Sequence, residues 1–357
     1  MPVKVAVLGA GYWGTKLARE YVAIESTTGE ASLDWVVDSS EAALESIRRQ
    51  VVRTGWSASE TRTKFGNRME QALGSDADAV HIALPNDLHF ESAKAALEAG
   101  KHVLLEKPMA TNSRDAFKLA ALAEEKGLVL QVGHVFRFNN AVNMVRKLLS
   151  EGRLGKIYYA KLDWATFLAP PAGRDIVFDL APHPIDVLNY LLGEWPSGVD
   201  AVGESYLRKA DLSEEMAFVN LEYPDEVVAN VYLSWIQHGS KDRIIRVIGE
   251  KGTIYCDAIQ QTVCMYTDEG KTEIPRSLFP PSRLCNGHSE SGVTPASEPN
   301  NTIRDMEYHF IDTIRGRGPQ LNSATIGARN IEVLEAITGA MRRRRAVRVP
   351  TAAKMQE

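Results

Sequence analysis

The chain is poor in cysteine. Cys256, Cys264 and Cys285 are three in 357 residues, an odd number at spacings that match no zinc motif. A disulfide-framed secreted scaffold is excluded, and reduced thiols in a cytoplasmic protein are expected. Positive charge is not in excess either. Lys and Arg number 41 against 46 Asp and Glu, a formal net charge of -5. A general nucleic-acid binder needs a basic surface, so that class is set aside. Arg342–Arg345 is a basic run behind a helical pattern, where cations complement the C-terminal dipole, and reads as structural. Long apolar runs are missing as well. Stretches such as Val3–Ala10 fall far short of the roughly 20 residues that span a bilayer. The opening MPVKVAVLGAG reads as a strand, not as a signal peptide. No membrane partner and no bound metal are expected.

Apolar residues make up 44% of the chain and charged residues 24%. That suffices for one large or two medium ordered domains. Over the first 130 or so residues, strand and helix patterns alternate. Val3–Leu8, Leu33–Asp38, Ala77–Pro85, His102–Pro108 and Leu128–His134 read as strands. Between them lie helices over Tyr12–Ala23, Ser39–Arg53, Asn86–Gly100 and Ser113–Gly127, with Ser39 or Ser40 and Ser113 as N-caps. Continuous apolar strands joined by helices imply a doubly wound parallel sheet covered on both faces. The rhythm then changes. KIYYAKLDWATF alternates, and MAFVNLEY and VVANVYLSWI flank PDE as a hairpin would. The expected architecture is α/β throughout. An N-terminal Rossmann domain (1–133) precedes an α/β domain (134–357) with an open, mostly antiparallel sheet. Residues 271–301, rich in Pro, Ser, Gly and Asn, read as a long loop.

Gly9, Gly11 and Gly14 form G-x-G-x-x-G between a buried strand and a helix, the context in which that pattern has a mechanism. The first glycine permits the tight turn and the second lets a pyrophosphate approach the backbone. The third lets helix and strand pack closely. Asp38 closes the second strand at about the spacing where a carboxylate accepts the ribose hydroxyls of NAD. Ser39 and Ser40 follow it, with no arginine to hold a 2′-phosphate, so NAD is expected rather than NADP.

Further along, VLLEKPMA places Glu106-Lys107-Pro108 at the end of the fourth strand. Together GAGYWG and EKP resemble the glucose-fructose oxidoreductase, inositol dehydrogenase and rhizopine-catabolism (Gfo/Idh/MocA) family. LPNDLH (84–89), VGHVFRF (132–138), DLAPHPID (179–186) and GEKGTI (249–254) extend the resemblance over nearly the whole chain. The resemblance implies pyridine-nucleotide-dependent oxidation or reduction at a sugar, polyol or nucleotide-sugar carbon. It implies Lys107 as catalytic lysine, His183 as acid/base and Asp179 as the carboxylate that orients it. It also implies cofactor contacts from Tyr12, Trp13, Leu84, Pro85, Asn86, His89 and Glu106. A homodimer or homotetramer through the C-terminal sheet is expected from the same resemblance.

Chemistry supports those roles separately. Oxidising a C–H that bears a hydroxyl requires a base for the hydroxyl proton and a positive group for the developing alkoxide. His183 can titrate near neutrality, and Lys107 stands where the strand order puts the nicotinamide. Pro108 favours an extended Lys107. Pro182 and Pro184 argue against one regular helix through 179–190, so a helix start near Pro184 is expected. On the substrate side, Arg137, Trp164 and Arg174 join Lys107, Asp179 and His183 as candidate contacts. Arg137 could equally brace the domain junction, and sheet packing competes for Trp164. A different class, a non-catalytic NAD(P)-sensing regulator, would share the fold but would not need Lys107, Asp179 and His183 together.

Overall fold

Short, almost wholly apolar runs build the first sheet. The computed structural model describes residues 1–53, 63–169, 175–209, 214–280 and 298–343. In it, β1 (Val3–Leu8), β2 (Ala31–Val37), β3 (Lys64–Gly66), β4 (Ala79–Ile82), β5 (His102–Leu105) and β6 (Leu130–Val132) pair in parallel. Their order is β3-β2-β1-β4-β5-β6, the Rossmann arrangement with its reversal beside β1. The helices are α1 (Tyr12–Thr28), α2 (Glu41–Arg53), α3 (Met69–Leu73), α4 (His89–Glu98) and α5 (Ser113–Glu125). Neither β3 nor α3 is expected from the sequence, because three and five residues are too few to show a period. Helix α1 passes its expected end at Ala23 and stops at Gly29, which is left-handed at φ 65°. Asn112, not Ser113, caps α5 by accepting from the Asp115 N–H at 2.9 Å. Ser113 instead donates to Glu335.

The second sheet holds eight strands. They are β7 (Ile157–Ala165), β8 (Gly198–Glu204), β9 (Met216–Glu222), β10 (Val228–Ser234), β11 (Asp242–Gly249), β12 (Gly252–Asp257), β13 (Thr262–Thr267) and β14 (Gly270–Ile274). Their order is β14-β13-β12-β11-β7-β10-β9-β8. All neighbours run antiparallel except β7 and β10, and β9–β10 is the expected hairpin around PDE. Strand β14 takes the start of the stretch expected to be a loop; residues 281–297 lie outside the described residues, Cys285 among them. The helices α6 (Asn140–Ser150), α7 (Ile176–Leu180), α8 (Pro182–Leu192) and α10 (Ala324–Arg342) cover one face. The other face is open and exposes Tyr158, Phe218, Val228 and Tyr266. Helix α9 (Thr302–Ile314) returns to pack on α1, and α10 lies against both α5 and β8. One apolar cluster thus runs continuously from the first sheet to the second.

The prolines divide 176–192 as their chemistry requires, but earlier than expected. Helix α8 begins at Pro182, where a missing N–H costs nothing, and Ala181 separates it from α7. Asp179 therefore sits at the end of one helix and His183 in the first turn of the next.

Arg137 lies in the 3-10 turn behind β6 and does not line the cavity described below. It is buried and grips the buried Asp186 of α8, Nε to Oδ1 at 2.9 Å and Nη2 to Oδ1 at 2.7 Å. Its Nη1 donates to the Leu321 carbonyl at 2.7 Å. Of the two roles expected for Arg137, these bonds are the bracing one. Removing one partner of a buried pair strands the other charge, at a cost of about 3–5 kcal/mol. Arg137→Met is expected to lose stability in that range, measured by urea denaturation.

Candidate active site

The cleft starts where the sheet order reverses. Gly9 follows β1 at φ 105°, and a Cβ there would lie 2.4 Å from the Ala83 carbonyl oxygen behind β4. Only glycine allows that approach. At Gly14 a Cβ would fall 1.8 Å from the Gly9 oxygen, so α1 could not sit so close to the turn. Gly11 differs: a Cβ would meet nothing within 4 Å. Open space thus lies in front of the first turn of α1, whose N–H groups have no partners within the helix. The Asp38 carboxylate is held beside this turn by the Ala10 N–H at 2.7 Å and the Ser40 N–H at 2.8 Å. These are the groups that could hold a dinucleotide, the space at Gly11 for its pyrophosphate and Asp38 for a ribose.

From Gly11 a cavity of about 730 Å³ runs toward the second sheet. It brings together Tyr12, Trp13, Leu84, Pro85, Asn86, His89, Glu106, Lys107, Asp179 and His183 of the expected residues. Gly9, Gly14, Asp38 and Ser39 do not line it. The two glycines shape the turn, and the other two stand beyond it at the end of β2.

Lys107 follows β5, and its Nζ donates to the Asp179 carbonyl at 2.7 Å, with the Asp179 carboxylate 3.6 Å away. His89 ties the adjoining segments together, with ring nitrogens 2.7 Å from the Pro108 oxygen and 2.8 Å from the Leu84 oxygen. Glu106 turns away from Lys107 toward His81, at 3.6 Å. A Cβ on Gly133 would lie 2.9 Å from that carboxylate, so glycine makes room for it. His183 packs edge-on against Phe136, with ring centroids 5.3 Å apart. Its Nδ1 is buried without a hydrogen-bond partner. The expected Asp179–His183 hydrogen bond is therefore not made at Nδ1, and Asp179 faces Lys107 instead. Burial pushes the His183 imidazole well below its usual value, and the positive charges of Lys107 and Arg243 push the same way. A cationic ring would also carry a buried N–H with no acceptor.

One expected substrate contact stands elsewhere. Trp164 is fully buried, packed against Phe136 at 5.1 Å, and does not line the cavity. Arg174 lies outside the described residues. The cavity wall also carries Lys241 and Arg243, neither expected as a contact from the sequence. Arg243 is the second residue of β11 and is only 5% exposed. Burial lowers its pKa to about 10, so it stays charged at neutral pH. Lys241 is exposed as a residue, yet partial burial of its ammonium group lowers its pKa, with Arg243, Lys16 and Lys107 adding repulsion.

Two family descriptions match this chain. "Oxidoreductase family, NAD-binding Rossmann fold" covers residues 3–134, and "GFO/IDH/MocA C-terminal domain" covers residues 142–255. The chain belongs to the GFO/IDH/MocA family: it is an oxidoreductase with an NAD(P)-binding Rossmann domain. It is similar to 1,5-anhydro-D-fructose reductase of Ensifer adhaerens, 28% identical over 285 residues, 74% of this chain and 82% of that one. UDP-N-acetylglucosamine 3-dehydrogenase of Acidithiobacillus ferrooxidans is 28% identical over 266 residues, covering 74% and 77%. The solved aldose-aldose oxidoreductase of Caulobacter crescentus, complexed with glycerol, shares the fold with a TM-score of 0.79 at 22% identity. That match covers 98% of this chain and 100% of the other. No helix of the described residues is long and apolar enough to cross a membrane.

The glycines separate binding from folding. Gly11→Ala puts a methyl into the open space without a clash, so NADH binding is expected to weaken at least about tenfold with thermal stability retained. Gly14→Ala forces α1 away and is expected to cost about 1–3 kcal/mol of stability. Fluorescence titration and thermal melting of the two variants check the contrast.

Proposed function

We propose that this oxidoreductase moves a hydride between nicotinamide and a secondary alcohol or ketone carbon of a sugar, polyol or nucleotide-sugar. The observation that carries the reading is a single one: Lys107, fixed by Asp179, shares one cavity with a neutral His183 and with the open first turn of α1. The named relatives, a reductase of an anhydro-sugar and a dehydrogenase of a nucleotide-sugar, support the substrate class. NAD is favoured over NADP, since Asp38 would repel a 2′-phosphate and Ser39 offers it no charge.

When bound, the nicotinamide supplies the hydride acceptor or donor. The chain's own residues do the rest. Gly11 and the α1 N-terminus hold the pyrophosphate, and Asp38 the ribose. Lys107 donates a hydrogen bond to the reacting oxygen and stabilises negative charge on it as the C–H bond breaks. Asp179 holds the ammonium in that place through its carbonyl and carboxylate. His183 takes the hydroxyl proton, leaving a C=O, and returns it in the reverse direction. The open face of the second sheet, with Tyr158, Phe218 and Tyr266 exposed, is where a second copy would pack.

The test is to offer NAD and NADP with hexoses, polyols and nucleotide-sugars, and follow absorbance of the reduced nicotinamide. Lys107→Ala is expected to lower kcat/KM roughly 10²–10³-fold with NADH affinity retained. Tight NADH binding with no turnover of any compound would instead indicate a sensor. The pH profile gives a second check. His183 must be neutral to accept a proton, and its pKa lies below the usual 6.5. Oxidation is therefore expected to stay flat as pH falls through 6.5 and to decline only further down. A limb centred at or above 6.5, or one that persists in His183→Asn, would exclude His183 as the base.

A further inference from the structure

The cavity wall carries three cations, Lys107, Lys241 and Arg243, against two carboxylates, Asp179 and Glu106. Asp179 is engaged with Lys107. Asp242 is tied into its own turn, accepting from Gln237 Nε2 at 2.5 Å and Ser240 Oγ at 2.7 Å. Arg243 donates from Nη1 to the Ala165 and Asp242 carbonyls. Among the described residues its Nε and Nη2 have no acceptor, and neither Arg243 nor Lys241 has an ion-pair partner. The neutral polar groups of the same wall are also occupied. Asn139 caps α6 and donates to the Ala258 carbonyl, and Gln261 exchanges two hydrogen bonds with the Asn300 backbone. A buried guanidinium is ordinarily paired, because desolvating it alone is costly. Arg243 packs over the Trp164 ring, 5.4 Å from its centroid, but has no carboxylate partner among the described residues, and such a guanidinium at the wall of a cavity marks the place of an anion from outside.

We infer that the substrate carries an anionic group, a carboxylate or a phosphate, held by Arg243 and Lys241 while its reacting carbon lies between Lys107 and His183. The inference rests on the proposed reaction only in taking the Lys107 end as the reacting end. A planar guanidinium with two free donors suits either anion, and the ammonium of Lys241 adds a second charge from the rim. Lys107 needs no such ligand, since Asp179 already partners it.

The experiment is calorimetric titration of the NADH-loaded full-length protein with matched pairs. Each pair sets a neutral sugar against its uronate, its aldonate, its monophosphate or its nucleoside-diphosphate derivative. In at least one pair the anionic member is expected to bind roughly tenfold tighter or more. Arg243→Gln and Lys241→Gln should collapse that ratio; if the buried Arg243 variant fails to fold, the exposed Lys241 variant still decides. The uronate and phosphate arms tell which anion is recognised. No preference in any pair, or no binding by any anionic member, overturns the inference. So does an unchanged ratio in both variants with NADH affinity lost, which would assign the charges to the cofactor's pyrophosphate. Turnover is read separately: an anionic ligand that binds preferentially but is never oxidised or reduced sinks the proposed reaction and leaves the anion site standing.

Discussion

The buried pair of Arg137 and Asp186 fixes the distance on which the site depends. Arg137 stands in the turn behind β6, at the exit of the first sheet, and β6 is the neighbour of β5, which ends beside Lys107. Asp186 stands in α8 one turn beyond His183. The guanidinium also reaches the Leu321 carbonyl just before α10, so three segments are gathered at one point. Without that clamp, Lys107 and His183 would belong to elements free to adjust separately. With it, the lysine from one sheet and the histidine from the helix on the other share one cavity wall. A charged pair suits this task better than apolar contact would, because its geometry is directional.

Charge is distributed so that the cleft stays positive. Below β4 and β5 lies a buried group of His81, Glu106, Glu307 and Tyr21. Burial pushes Glu307 well above the usual carboxyl range, with Glu20 and Glu106 adding repulsion, so this acid is held protonated. Burial likewise pushes His81 down and keeps it neutral. Glu106 is the carboxylate of this group that lines the cavity, next in sequence to Lys107. Above it, Lys107, Lys241 and Arg243 face one another with Asp179 as the carboxylate closest at hand to the lysine. Burial does most to push the His183 imidazole down, and the cations Lys107, Arg243 and Lys241 push the same way.

How much of this could be read from the chain follows the length scale of each feature. The Rossmann order, the glycine turn and Lys107 were legible, since each depends on a local run with its own period or spacing. The strand β3 and helix α3 were not, being shorter than any period. Arg137 resisted because its partner lies 49 positions away, and a junction arginine reads equally well as a ligand contact. Two errors were avoidable by strand parity. Trp164 alternates in step with Ala160 and Leu162, which places it on the covered face of β7, not in a pocket. Arg243 alternates in step with Ile245 and Val247. A charge on the buried parity of an otherwise apolar strand is a signal in the sequence itself, and it leads to the cavity wall.

That parity also explains how the architecture divides labour. The first sheet delivers Lys107 from the end of β5, where backbone pairing on both sides fixes the position. The far wall comes from the start of β11 and from Ala258, Ile259 and Gln261 in the turn between β12 and β13. Strand starts and turns accept new side chains without disturbing a ladder, whereas a change at β5 would displace the reacting oxygen. Under the proposed reaction the lysine thus comes from the first sheet, while the histidine and the cationic wall come from the second domain. A charge such as Arg243 can arise at the β11 edge, change what the cavity binds, and leave the geometry around Lys107 and His183 intact.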